Sequence, residues 1–184
     1  MVQRSAHGAG IRSKKNGEPI TAQAAERLMY LGQEQAMCSQ PLDDYFVAGG
    51  ACPDLAFSST ALWRCYLGSW EILDDRLYLI ALRATSKDGS AVDLATVFPG
   101  FPDRVFAHWY SGLLRLPQGR LIKYVHGGFA SVHESDLFVV IEQGRVTDSH
   151  ARVNGQAVDP AAPVGYAPGA WTEFSSRRLP DEEG

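Results

Sequence analysis

Leu62-Trp63-Arg64-Cys65-Tyr66-Leu67-Gly68-Ser69-Trp70-Glu71-Ile72-Leu73-Asp74-Asp75-Arg76-Leu77-Tyr78-Leu79-Ile80-Ala81-Leu82-Arg83-Ala84 is the stretch that decides the fold. It contains two aromatic and aliphatic runs, Leu62–Ile72 and Arg76–Ala84, separated by Asp74-Asp75. Aromatic and β-branched residues on alternating positions suit a pleated surface, and paired aspartates suit a turn. The same reading extends down the chain. Val92–Phe98 stops at Pro99-Gly100, and Val105–Ser111 is aromatic. Leu113–Leu116 meets Pro117-Gln118-Gly119, and Leu121–His126 meets Gly127-Gly128. Phe129–His133 and Leu137–Ile141 follow, then Gln143-Gly144 and Arg145–Ser149, and Val153-Asn154-Gly155-Gln156 carries a hairpin-turn signal. Short strands at this spacing predict a mainly β protein, an antiparallel meander forming a single-domain sandwich or partly open barrel. Thr21–Cys38 reads two ways. Its helix formers fit one helix, but Gly32 interrupts them, which favours a short helix at 21–27 leading into a hairpin.

The ends read differently from the body. Residues 1–20 are polar and basic without periodicity, and residues 157–184 form an irregular, proline-rich tail. Tyr166, Trp171 and Phe174 lie in that tail and are costly to leave in water, so part of it is expected to dock on the β domain at 21–156.

Length and composition narrow the function. The chain has 184 residues, 45% hydrophobic and 21% charged, with a formal charge of −4. An acidic chain without a dominant basic patch argues against nucleic acid as the partner. The apolar runs are far shorter than the roughly 20 residues that a membrane-crossing helix needs. Three cysteines, Cys38, Cys52 and Cys65, cannot all pair with one another, and the first residues contain no apolar stretch. Both features lead to the expectation of a cytoplasmic protein with reduced thiols.

Two blocks carry a resemblance. Ser59-Thr60-Ala61-Leu62-Trp63-Arg64-Cys65-Tyr66-Leu67-Gly68-Ser69-Trp70-Glu71-Ile72, continued by Asp75-Arg76-Leu77-Tyr78-Leu79, resembles a family of uncharacterised bacterial proteins with patterns like STALWRGYxGTWEIxDDxLYL. The second block runs from Phe98-Pro99-Gly100 through Val105-Phe106-Ala107-His108-Trp109-Tyr110-Ser111-Gly112-Leu113-Leu114-Arg115 and Pro117-Gln118-Gly119 to Tyr124-Val125-His126-Gly127-Gly128-Phe129, and ends with His133-Glu134-Ser135-Asp136-Leu137. It is similar to the same family. The resemblance covers roughly residues 27–147 and implies a bacterial origin and a shared fold, but no activity. Cys65 departs from the pattern, which has Gly there.

Candidate site residues follow from side-chain chemistry. Trp63, Arg64, Trp109, Tyr110, Arg115 and Tyr124 would line an aromatic pocket, with Arg64 or Arg115 anchoring an anion. His108, His126, His133 and Glu134 are the candidates for acid–base chemistry or metal ligation. The chain lacks a GxSxG elbow, an HExxH motif, a CxxC pair and a phosphate-binding loop. The reading is therefore a non-enzymatic module that binds a small molecule or a protein, with no cofactor and no metal. The alternative is a small enzyme of unrecognised type that uses the histidine cluster. Unprotected sheet edges would also invite a homodimer.

Overall fold

The computed structural model describes residues 21–166. Trp171, Phe174 and the first twenty residues lie outside them. The chain forms β1 (Glu26–Tyr30), β2 (Gln33–Met37), α1 (Pro41–Val47), β3 (Tyr66–Leu73), β4 (Arg76–Thr85), β5 (Ala91–Val92), α2 (Leu94–Val97), β6 (Val105–Phe106), β7 (Gly112–Lys123), β8 (Val132–Glu142) and β9 (Arg145–Val153). The expectation of a mainly β architecture holds. The sheet is mixed rather than wholly antiparallel, because β1 runs parallel to β3.

Three hairpins are closed by two-residue turns with positive φ at both central positions. These are Leu31-Gly32, Asp74-Asp75 and Gln143-Gly144. Such turns match the right-handed twist of the flanking strands. The first of them settles Thr21–Cys38 as the β1–β2 hairpin, and the expected helix at 21–27 does not form. Asn154-Gly155 forms no hairpin. Asn154 instead ends β9 and donates from its side chain to the Asp136 carboxylate and to His133 O.

Other boundaries move for identifiable reasons. Leu62–Arg64 is a turn rather than part of β3, so Trp63 is exposed. Val92–Phe98 splits after β5, because Asp93 and Thr96 form a capping box that starts α2. Val105–Ser111 keeps only two strand residues, which pair with Tyr78 and Leu79. Leu113–Leu116 and Leu121–His126 fuse into β7, and the Pro117-Gln118-Gly119 signal becomes a bulge with Gly119 at φ 74°. Phe129–His133 and Leu137–Ile141 likewise merge into β8, which begins only at Val132. Helix α1, unread in the sequence, starts at Pro41 and carries Asp43 and Asp44 in its first turn, a composition that suits a helix N-terminus.

The strands run in the order β2-β1-β3-β4-β9-β8-β7, with β5 and β6 paired to β4. The sheet is strongly curled but not closed. Its two ends approach where Cys38 N–H donates to Arg115 O at 2.8 Å and Gln118 Nε2 donates to Gln35 Oε1 at 2.8 Å. Leu28, Met37, Trp70, Leu77, Leu79, Leu114, Leu116, Val139 and Ile141 fill the core. Each such side chain contributes roughly 1.5–3 kcal/mol by burial. A smaller cluster of Cys38, Leu121 and Tyr166 seats the start of the tail. The Tyr166 hydroxyl bonds Gln23 O, so this part of the tail does dock.

Cys65 has φ 64°, in the left-handed region. Glycine adopts this conformation without the steric cost that a side chain brings. Replacing Cys65 with Gly should raise stability by roughly 0.5–1 kcal/mol, and Cys65→Val should lower it by at least as much. Urea unfolding of the two variants checks this.

Candidate functional site

The most unusual chemistry lies beneath the turn before β3. Arg64 leaves that turn with its side chain only 3% exposed. Its Nε donates to Glu26 Oε1 on β1 at 2.9 Å. The other Glu26 oxygen accepts from Trp70 Nε1 on β3. The Arg64 guanidinium lies 5.5 Å from the centroid of the Tyr66 ring, and the Tyr66 hydroxyl donates to Asp43 Oδ1 at 2.6 Å. Four elements thus meet on one polar centre: β1, the turn, β3 and α1. Gly68 leaves room for it, since a Cβ there would fall 2.4 Å from Glu26 Oε2 and 2.6 Å from Trp70 Nε1.

The centre is incompletely satisfied. Arg64 Nη1 and Nη2 are buried, and neither has a hydrogen-bond partner among the described residues. A buried guanidinium normally uses its whole donor fork. Burial pushes the Glu26 carboxyl up to about 7, against the pull of Arg64 and the Trp70 hydrogen bond. Asp43 is also raised by burial, opposed by Tyr66 and Arg64. The arrangement therefore combines a permanent cation, two carboxyls that resist ionisation, and a pair of donor groups that meet no acceptor among the described residues. A cavity of about 390 Å³ borders the Glu26 side of the centre, lined by Ala25, Glu26, Ala36, Gly68, Arg83 and Tyr166 among others; Arg64 itself is not part of the lining. Glu26 belongs both to that lining and to the buried pair.

The remaining candidates are dispersed. Trp63 is 52% exposed, with its backbone N–H held by Gln23 Oε1. Trp109 stacks on Phe98 at 5.5 Å and donates to Pro41 O, and Tyr110 is buried with its hydroxyl on Leu113 O. Arg115 is fully engaged, with Nε on Asp136, Nη1 on Phe129 O and Nη2 on Ser131 O. Asp136 is buried and also holds Arg152 and Asn154. Of the two arginines proposed as an anion anchor, then, Arg115 supports the structure and Arg64 keeps open donors.

The histidines occupy three separate environments. His108 is exposed beside Phe106 and Trp109. His126 is exposed in the loop after β7, with Nδ1 2.6 Å from the Tyr124 hydroxyl. His133 is buried beneath Tyr166, with Nε2 3.2 Å from Gly165 O, and burial lowers its pKa. The Glu134 carboxylate accepts from the backbone N–H groups of Arg120 and Ala157. Among the described residues, no group of three or more His, Cys, Asp or Glu is placed to hold a metal ion. Burial pushes the Cys38 thiol up to about 12 and raises Cys52 and Cys65, so none of the three is a ready thiolate. No helix among the described residues is long and apolar enough to cross a membrane.

Sequence reading found Arg64 and missed its partner Glu26, which lies in the segment read as helix. The signal was present: Glu26 shares the inward face of a strand with Leu28, two positions on, while Arg27 between them is exposed. Comparison with family models, with curated proteins and with solved structures finds no match for this chain.

The raised Glu26 carboxyl takes up a proton on folding. Its contribution is therefore most favourable at or below its ordinary value of 4.5 and is lost as pH rises through about 7. The stability of the wild type relative to Glu26→Gln should fall by up to ~3 kcal/mol between pH 4.5 and 8. Groups with lowered values, such as Asp136, are common to both proteins and cancel in the difference. Denaturant unfolding across that range checks the sign.

Proposed function

We propose that this protein is a non-enzymatic binding module for a small polar ligand, which presents an oxygen acceptor to Arg64. The observation that carries this reading is the buried guanidinium with Nη1 and Nη2 unpartnered among the described residues. Leaving such donors unmatched costs ~1–3 kcal/mol or more, whereas a bidentate oxygen partner would satisfy both. The adjoining cavity of about 390 Å³ is within the usual size range for a small-molecule site. Glu26 adds selectivity. If the ligand brings a carboxylate, a second negative charge beside Glu26 favours the protonated form of Glu26, so binding takes up a proton and tightens as pH falls. A neutral carbonyl makes no such demand.

The dispersal of His108, His126 and His133 supports a binding role over acid–base chemistry, because a general base needs a reacting group and a partner within hydrogen-bond reach. Trp63 and the Phe138 surface remain available for contact with proteins.

A thermal-shift series with short-chain monocarboxylic acids and the matching primary amides tests the proposal. At least one class should raise the melting midpoint of the wild type by several degrees at saturation. Arg64→Lys keeps the charge but loses the planar fork, so it should abolish that shift. An equal shift in Arg64→Lys, or no shift with any acid or amide, contradicts the proposal.

A further inference from the structure

Strand β9 is held on one side only. Its first residue pairs with β4 through Arg76↔Arg145, supported by Val146 N–H on Asp75 O and Leu77 N–H on Gly144 O. Beyond that point the edge of β4 is occupied by β5 and β6. The other side of β9 is paired with β8 to its end. Every residue of β9 except Val146 is exposed.

The alternation of the ladder shows which backbone groups are left over. Asn154 N–H turns toward β8, donating to Glu134 O, while Ser149 N–H turns away and is met by its neighbour's carboxylate, Asp148 Oδ1, at 2.8 Å. Ala151 and Val153 share the outward orientation of Ser149. No backbone bond outside the β8 ladder engages either of them among the described residues. An edge of this length normally carries a bulge, a proline or a covering segment, and otherwise templates another strand. β9 does carry one bulge, at Thr147 between the Val140↔Asp148 and Ile141↔Val146 pairs, but the stretch from Asp148 to Val153 beyond it runs in unbroken register, and there the Asp148 carboxylate covers a single amide.

We propose that the strand taken up by this edge is β9 of a second copy, antiparallel and centred on His150. In that register Ser149 and Ala151 of one chain face Ala151 and Ser149 of the other, bringing together outward-facing donors and acceptors. Asp148 then lies opposite Arg152 of the second copy, twice by symmetry. This opposite-charge pairing selects the centre, because a shift to Ala151 would place His150 against Arg152 instead. Arg152 is 59% exposed, and its described hydrogen bonds use Nε and Nη2. The rings continue the match. Phe138 stacks on His150 at 5.4 Å, and the Arg152 guanidinium lies 5.0 Å from the Phe138 centroid. The pairing sets His150 beside its symmetry mate, so that Phe138–His150 rows from both copies join on one face. Such a contact is isologous and closes as a two-fold dimer.

Analytical ultracentrifugation of the full chain over a wide dilution series gives the first readout, with a concentration-dependent dimer expected. Ala151→Pro removes an outward donor without touching the β8 ladder, and should leave a monomer with the wild-type circular dichroism spectrum. Asp148→Arg should weaken the dimer at least tenfold and serves if the proline variant does not fold. In a Cys52→Ser, Cys65→Ser background, His150→Cys should oxidise to a covalent dimer, since residues at the two-fold axis face each other. Ala151→Cys, which faces Ser149, should not. A monomer at every concentration, a dimer unaffected by the β9 variants, or equal cross-linking at 150 and 151 overturns the proposal.

Discussion

A guanidinium withdrawn from water is the constraint around which this fold is organised. Isolated, such a charge would cost several kcal/mol even after relaxation, so it must be matched by groups brought from elsewhere in the chain. Arg64 is matched by Glu26 from 38 residues earlier in sequence. That single ion pair demands several other features: the parallel contact of β1 with β3, the absence of a side chain at Gly68, the indole of Trp70 on the far carboxylate oxygen, and the left-handed turn at Cys65 that precedes β3. Aliphatic side chains supply most of the driving force for folding, but they do not specify which strand lies beside which. A buried pair whose geometry is satisfied in one register does so more sharply.

The two buried charge centres behave differently. Asp136 is saturated: Arg115, Arg152 and Asn154 cover its oxygens, and their hydrogen bonds outweigh burial, holding its carboxyl below the ordinary range. Arg115 is saturated in turn by two carbonyls. That centre fastens the loop before β8 to the outer face of the sheet. The Arg64 centre has the same ingredients but is not saturated. Glu26 is raised rather than lowered, and two donors have no partner among the described residues. Similar residues thus make a saturated strut in one place and an incompletely satisfied centre in the other, and the difference is whether the donor fork is used up.

The strand content and three of the turns were legible in the sequence because they rest on local chemistry. Asp74-Asp75, Gln143-Gly144 and Leu31-Gly32 could be read, at least as breaks, from residues that tolerate positive φ. Boundaries set by tertiary contacts were not legible. Pro117-Gln118-Gly119 has the composition of a turn, yet becomes a bulge because β8 offers a continuous partner across it. Asn154-Gly155 has the composition of a hairpin, yet the described segment after it bridges to β7 at Arg120↔Val164 instead of returning along β9, and the Asn154 side chain is drawn to Asp136. Arg64 could be named from its place among aromatics on one face, but its value depends on Glu26, which no local pattern connects to it. The histidines show the converse: proximity in sequence did not become proximity in space, because His126 falls in a loop and His133 under Tyr166.

A high-resolution crystal structure of the full chain, read at the Arg64 side chain, bears most directly on the claim that a buried, receptive guanidinium organises the fold. Arg64 Nε should lie on the Glu26 carboxylate, with ordered ligand or solvent oxygens within hydrogen-bond distance of Nη1 and Nη2. Arg64 turned outward into bulk solvent, or both Nη groups satisfied by protein atoms, would contradict it.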